Sequence, residues 1–132
     1  MRGTVNRSFS VREIGELPKG VELIRDGWLD ADSISFDSEK SILRLRYLKS
    51  SSRSPFLNRL RFPAMECFLI IGGVSSYSVK DDQKVRYYDI ETLSYDPAVM
   101  RIRLKTGIPL EVSLIAVDLD LTIEETGKFV ES

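Results

Sequence analysis

The sequence predicts an all-β fold, an antiparallel sandwich or flattened barrel. It is expected to be built from two similar three-stranded units related by an internal pseudo-twofold, with one short N-terminal helix. Three observations predict this. A hairpin pattern occurs twice: Asp30-Ala31-Asp32-Ser33-Ile34-Ser35-Phe36-Asp37 leads to Ile42-Leu43-Arg44-Leu45-Arg46, and Asp89-Ile90-Glu91-Thr92-Leu93-Ser94-Tyr95-Asp96 leads to Val99-Met100-Arg101-Ile102-Arg103. Apolar and polar residues alternate with period two through both copies, so each strand has a buried and a wet face. The two turns, Ser38–Ser41 and Pro97-Ala98, differ by two residues, which keeps every side chain on its own face. At 132 residues the chain makes one domain, 1–132, with repeat units at about 28–71 and 87–123, an N-terminal arm at 1–20 and a polar tail at 124–132.

Taken in order, Ser10-Val11-Arg12-Glu13 has the form of a capping box and opens a short helix with Ile14 and Leu17 on one face, ended by Pro18 and Gly20. Val21–Ile24 reads as the end of this arm or a short strand. Asp26-Gly27 is a turn, and Trp28 after it is a core anchor. In the first hairpin Asp37 pairs with Ile42, Phe36 with Leu43, Ile34 with Leu45 and Ser35 with Arg44. A polar loop follows from Lys49 to Pro55, and alternation resumes from Asn58 to Phe62, where Pro63 excludes a central strand. Met65–Ile71 is apolar on nearly both faces and belongs in the middle of the structure.

Gly72-Gly73 ends that strand. Ser75–Val79 is a further strand, Asp81-Asp82-Gln83 a turn, and Val85–Tyr88 leads into the second hairpin, where Asp96 pairs with Val99, Tyr95 with Met100, Leu93 with Ile102 and Ser94 with Arg101. After the turn Thr106–Pro109, pairing Leu104 with Leu110 sets Arg103 opposite Glu111, a cross-strand ion pair. The last strand runs from Leu110 to about Ile123. Its alternation changes phase at Leu114-Ile115, which a β-bulge would explain.

The composition excludes several chemistries. There is no histidine and a single cysteine, Cys67, so the commonest general base, Cys/His zinc sites and an internal disulfide are all absent. Cys67 lies in an apolar run and reads as a buried structural thiol. The apolar and charged fractions, 42% and 30%, are those of an ordinary globule, and the net charge of −1 gives no general attraction to nucleic acid. No apolar run is long enough to span a membrane, and no signal peptide is read at the N-terminus, where Asn6-Arg7-Ser8 matches a glycosylation acceptor in form only. A cytoplasmic location is therefore expected.

Three features remain as candidate sites. Asp30, Asp32, Asp89 and Glu91 form duplicated acidic corners that, facing each other, would suit an oxygen-seeking cation or paired-carboxylate chemistry. Flanking a strand, such residues ordinarily cap turns. Arg44, Arg46, Arg101 and Arg103, with Arg59 and Arg61 adjoining, would form a basic stripe if both hairpins share a sheet face, and guanidinium forks recognise phosphate or carboxylate. The third is an acidic remainder, Asp81, Asp82, Asp118, Asp120, Glu124 and Glu125, suited to steered protein association.

The stretch Trp28-Leu29-Asp30-Ala31 and the alternating hairpin after it resemble a group of small bacterial β-rich proteins, several of them grouped with immunity proteins of polymorphic toxin systems. These carry an aromatic-His-Asp-Ala motif. Leu29 stands at the histidine's place, so no role of that histidine carries over. The resemblance, best over residues 23–47, implies a cytoplasmic protein that binds and blocks a partner without catalysis. The leading expectation is thus a non-enzymatic protein-binding domain with no cofactor or metal. Anion or nucleic-acid binding through the arginines is the alternative, and metal-dependent activity at the acidic corners comes third. Exposed strand edges leave a homodimer open.

Overall fold

In the computed structural model, which describes residues 7–50 and 60–131, the alternating segments are strands of one antiparallel sheet. The chain order is β1 (Arg7–Val11), a 3-10 turn (Ile14–Glu16), α1 (Leu17–Ile24), β2 (Trp28–Asp30), a second 3-10 turn (Ala31–Ser33), β3 (Ser35–Asp37), β4 (Ile42–Ser50), β5 (Ala64–Ile71), β6 (Val74–Lys80), β7 (Tyr87–Asp96), β8 (Arg101–Thr106), β9 (Glu111–Ala116) and β10 (Leu121–Val130). Across the sheet the order is β1-β10-β5-β4-β2-β7-β8-β9-β6, with β3 also on β4. Among the described residues the ladder does not close, and the fold is all-β as expected, with an open sheet. Asn6, the loop residues 51–55, Asn58 and Arg59 lie outside the described residues.

One face of the sheet supplies the core. Leu43, Leu45 and Tyr47 of β4, Cys67, Leu69 and Ile71 of β5, and Ile102, Leu104, Val112 and Leu114 of β8 and β9 join a single buried cluster. Each such apolar side chain contributes about 1.5–3 kcal/mol. Because both ends of the strand order feed this cluster, the sheet must curl over it.

Two connections cross between the halves. β6 follows β5 after Gly72-Gly73 yet pairs with β9, while β10 follows β9 yet pairs with β5. Where they pass, the Gly72 amide donates to the Asp120 carbonyl (2.9 Å) and the Val117 amide to the Gly73 carbonyl (3.1 Å). Gly73 has φ +68°, a conformation that glycine reaches without strain.

Several registers differ from those the alternation suggests. The first hairpin pairs Asp37 with Ile42, Phe36 with Leu43 and Ser35 with Arg44, as expected, but Ile34 lies outside the ladder, capping the 3-10 turn. The second pairs Asp96 with Arg101, Ser94 with Arg103, Tyr95 with Ile102 and Leu93 with Leu104. It is slid by two residues from the expected register, and its loop is therefore Pro97–Met100. Both four-residue loops end in a residue at positive φ, Ser41 (57°) and Met100 (54°). In each, the aspartate before the loop accepts from an amide two residues on, Asp37 from Glu39 and Asp96 from Ala98. Leu104 likewise pairs with Val112, not Leu110, and Arg103 lies opposite Ser113.

The N-terminal arm is also corrected. Ser10 does not cap a helix; it lies in β1, opposite Thr122. The capping interaction is three residues later, where Glu16 accepts from the Glu13 amide (3.0 Å). Pro18 stands in the first turn of α1 instead of ending it, since its missing N–H costs nothing there. Leu17, Gly20, Val21 and Ile24 form the buried helical face, so Val21–Ile24 is helix. At the other end, the long last strand is two strands separated by Val117–Asp120. Of the residues expected as a polar tail, 124–130 are the second half of β10, paired with β1 through Glu125 and with β5 through Val130. No helix of the described residues is long and apolar enough to cross a membrane.

Candidate partner-binding face

The four arginines of the two hairpins do not form one stripe. Arg44 and Arg46 are on β4 and Arg101 and Arg103 on β8, with β2 and β7 between them. Three strand spacings separate the pairs by roughly 14 Å.

The first pair is occupied by its own sheet. The Arg44 guanidinium lies 3.9 Å over the Phe68 ring. Arg46 donates to Asp30 (2.7 Å) and to Glu66 (3.3 Å). Asp30, on buried β2, also receives a two-pronged contact from Arg86 (3.1 Å to each oxygen) and the amide of Asp32 (3.1 Å). Burial alone would push the Asp30 carboxyl up, but the guanidinium groups of Arg86 and Arg46 outweigh it and hold the carboxyl below its usual range. Arg46 in turn is disfavoured as a cation by burial, and Asp30 and Glu66 more than restore its charge.

The acidic corners do not meet. β2 and β7 run antiparallel with Trp28 opposite Asp89 and Asp30 opposite Tyr87, so Asp30 and Asp89 sit at opposite ends of the shared ladder. Asp89 accepts from the Ile108 amide (2.9 Å), and its carboxyl fills the space where a Cβ on Gly107 would stand. Asp32 and Glu91 are exposed. Among the described residues no three Cys, Asp or Glu side chains gather as a metal site.

The second pair lies on a different kind of surface. On the face of β7, β8, β9 and β6 away from the core, three cross-strand rows form. They read Asp96-Arg101-Ile115-Ser76, then Ser94-Arg103-Ser113-Ser78, then Thr92-Lys105-Glu111-Lys80. Arg103 meets Glu111 at 3.5 Å, with both side chains well solvated, so this pair contributes little. The arginine–glutamate contact expected from sequence is therefore present, though diagonally across the ladder. The Arg101 Nε is buried without a hydrogen-bond partner among the described residues. Lys80 and Lys105 have no carboxylate within ion-pair distance among those residues.

Sequence reasoning missed Arg86 and Glu66 as partners of the Asp30 cluster. Glu66 had a signal, being a lone charge in an otherwise apolar strand. Arg86 had none, because its approach to Asp30 depends on β2 pairing with β7. Cys67 is buried as expected, and burial pushes its thiol up to about 12. Of the acidic remainder, Asp81 is held below its usual range by the Tyr88 hydroxyl, Asp120 pairs with Arg12 (2.8 Å), and Glu125 is buried between Lys49 (3.3 Å) and Arg7 (3.5 Å). Compared with protein-family models, with curated proteins and with solved structures, the sequence matches none.

Proposed function

We propose that this chain is a non-catalytic protein-binding domain, of the immunity type that its first hairpin resembles. Its docking surface is the outer face of β7, β8, β9 and β6, and its partner presents an acidic surface. The observation that carries this reading is the excess of cations on that face: Arg101, Arg103, Lys105 and Lys80 stand in adjacent strands against Asp96 and Glu111. Serines between them keep the surface flat. Like charges held together on a wet sheet destabilise it slightly, and an opposing partner relieves this while steering the encounter. The outer rows carry no aromatic residue on which bases could stack, which favours an acidic protein over a nucleic acid.

The face also differs from its counterpart in the other half of the chain, and this supports the same reading. We infer that the chain is a doubled unit. Residues 28, 29 and 30 correspond to 87, 88 and 89, and the Leu29–Tyr88 pair lies on the approximate twofold. The backbone bonds around it come in mates, Ala31 N–H to Arg86 O (2.9 Å) and Ile90 N–H to Gly27 O (2.8 Å). Arg44 and Arg46 then correspond to Arg103 and Lys105. The first pair is consumed by Phe68, Asp30 and Glu66, whereas the second is left to solvent.

The test is co-expression with the products of adjacent genes, followed by size-exclusion chromatography. A one-to-one complex is expected, lost in Arg103→Glu/Lys105→Glu and dissociated by salt. A complex indifferent to that variant, or no complex at all, overturns the reading. Retention on heparin that exceeds binding to every acidic protein tried would transfer the face to a polyanion.

A further inference from the structure

We infer that the cleft between β3 and β6 is a vacant strand position, which receives one extended segment of a partner protein running antiparallel to β6. The inference rests on the doubled reading above but concerns a different surface. β3 and β6 each have one edge without a partner strand among the described residues. Those edges approach each other. The Val74 amide donates to the Ser41 carbonyl (2.9 Å) at one end, and the Phe36 and Tyr77 rings touch across the middle, centroids 5.3 Å apart. No ladder joins the two strands. Tyr77 and Val79, although in register with buried Leu114 and Val112, are themselves about 40% exposed. The core is therefore open along this seam.

What belongs there is indicated by the opposite half. β6 lies on β9 as β10 lies on β5, so the two are mates. On β10 the free edge is filled by β1, a single antiparallel strand reading Arg-Ser-Phe-Ser-Val, whose Phe9 and Val11 turn toward the core while its serines face out. On β6 the same edge has no strand among the described residues. A strand seated there would satisfy a row of amides and carbonyls and would cover Tyr77 and Val79, provided that its own apolar residues fall at alternate positions. β6 carries neither a proline nor an inward charge, the devices that blunt such an edge. A second copy of the chain does not fit. Its β6 would bring its own β9 along the far edge, and β3 stands where that strand would have to go. A single segment brings no second strand with it.

The probe is a synthetic peptide with the chain's own sequence from Val5 to Glu13, added at millimolar concentration to the intact protein. Backbone amide exchange is then followed by NMR. Alternate amides between Ser75 and Lys80 should slow by about tenfold. Val79→Lys, a charge set into an exposed apolar row, should weaken the effect at least about fivefold without unfolding the protein. Unchanged exchange in β6, slowing in β10 in its place (the peptide having displaced β1), or indifference to Val79→Lys would each overturn the inference. Arg103→Glu/Lys105→Glu should leave peptide binding intact, so failure here and failure of the proposed acidic-partner face are separable.

Discussion

Replacing Asp30 by Asn tests the buried ion cluster that fixes β2 to both halves of the sheet. The Asp30 side chain is 3% exposed and its partners Arg46 and Arg86 are 20% and 52% exposed. The amide keeps the size and one acceptor for the Asp32 N–H, so what is lost is charge. Removing one partner of a buried pair costs about 3–5 kcal/mol, and the lower end applies because Arg46 retains Glu66. The Arg86 arm is half solvated and adds little. The expected loss is about 3 kcal/mol at pH 7, or roughly 10–15 °C in Tm for a domain of this size. The loss should depend on pH. Asp30 titrates below its unfolded value of about 4, so its stabilisation is complete above that pH and disappears as pH falls through the folded value. Urea unfolding followed by Trp28 fluorescence, adjacent on β2, measures both. A difference under about 0.5 kcal/mol at pH 7, or one that does not shrink between pH 5 and pH 2, would refute the reasoning.

Further outcomes follow from individual side chains. Cys67, buried with its thiol raised to about 12, should resist iodoacetamide at pH 8 in the native state and react at the rate of unfolding; rapid alkylation would show that β5 opens locally. Tyr47 is buried and its hydroxyl has no partner stronger than the neighbouring Cys67 thiol among the described residues, so Tyr47→Phe should hold stability or raise it by about 1 kcal/mol in urea melts. Gly27→Ala would place a methyl 2.7 Å from the buried Tyr47 ring and 3.0 Å from the Ile24 carbonyl, and should cost about 1–3 kcal/mol by the same assay. Ser41→Gly and Met100→Gly each relieve a positive φ of 54–57° and should both stabilise by about 0.5–1 kcal/mol; effects of opposite sign would show that the two loops are held differently.

The alternation of Phe36, Leu43 and Leu45, and of Leu93, Ile102 and Leu104, made the strands and their inner faces legible from sequence alone. The same alternation could not choose between registers two residues apart, because both put every side chain on its proper face. That choice was made by the loops. Their deciding feature, a left-handed residue at Ser41 and Met100, carries no glycine or asparagine to announce it. Pro18 misled for a related reason: proline both opens and ends helices, and only the burial of Leu17, Gly20, Val21 and Ile24 shows which. Glu124, Glu125 and Lys128 hid β10's second half because polar residues on an interior strand read as tail. Glu125 is accommodated there by Lys49 and Arg7, which come from other strands.

The availability of the cationic face can be traced to how two carboxylates are neutralised. Asp30 is buried on β2 and draws Arg46 and Arg86 inward, which removes Arg46 from any outer surface. Asp89 stands at the other end of the β2–β7 ladder, and there the chain supplies a backbone N–H from Ile108, with Gly107 leaving room for the carboxyl. A peptide dipole satisfies a half-buried carboxylate without drawing in a side-chain cation. Among the described residues Lys105 consequently has no carboxylate within ion-pair distance, and Arg103 has its weak contact with Glu111. Had Asp89 recruited an arginine as Asp30 does, the two faces would be equally compensated, and the acidic partner proposed above would have no face to prefer. The asymmetry between a side-chain clamp and a backbone clamp is what draws the cations near Asp30 inward and leaves those of β8 in solvent.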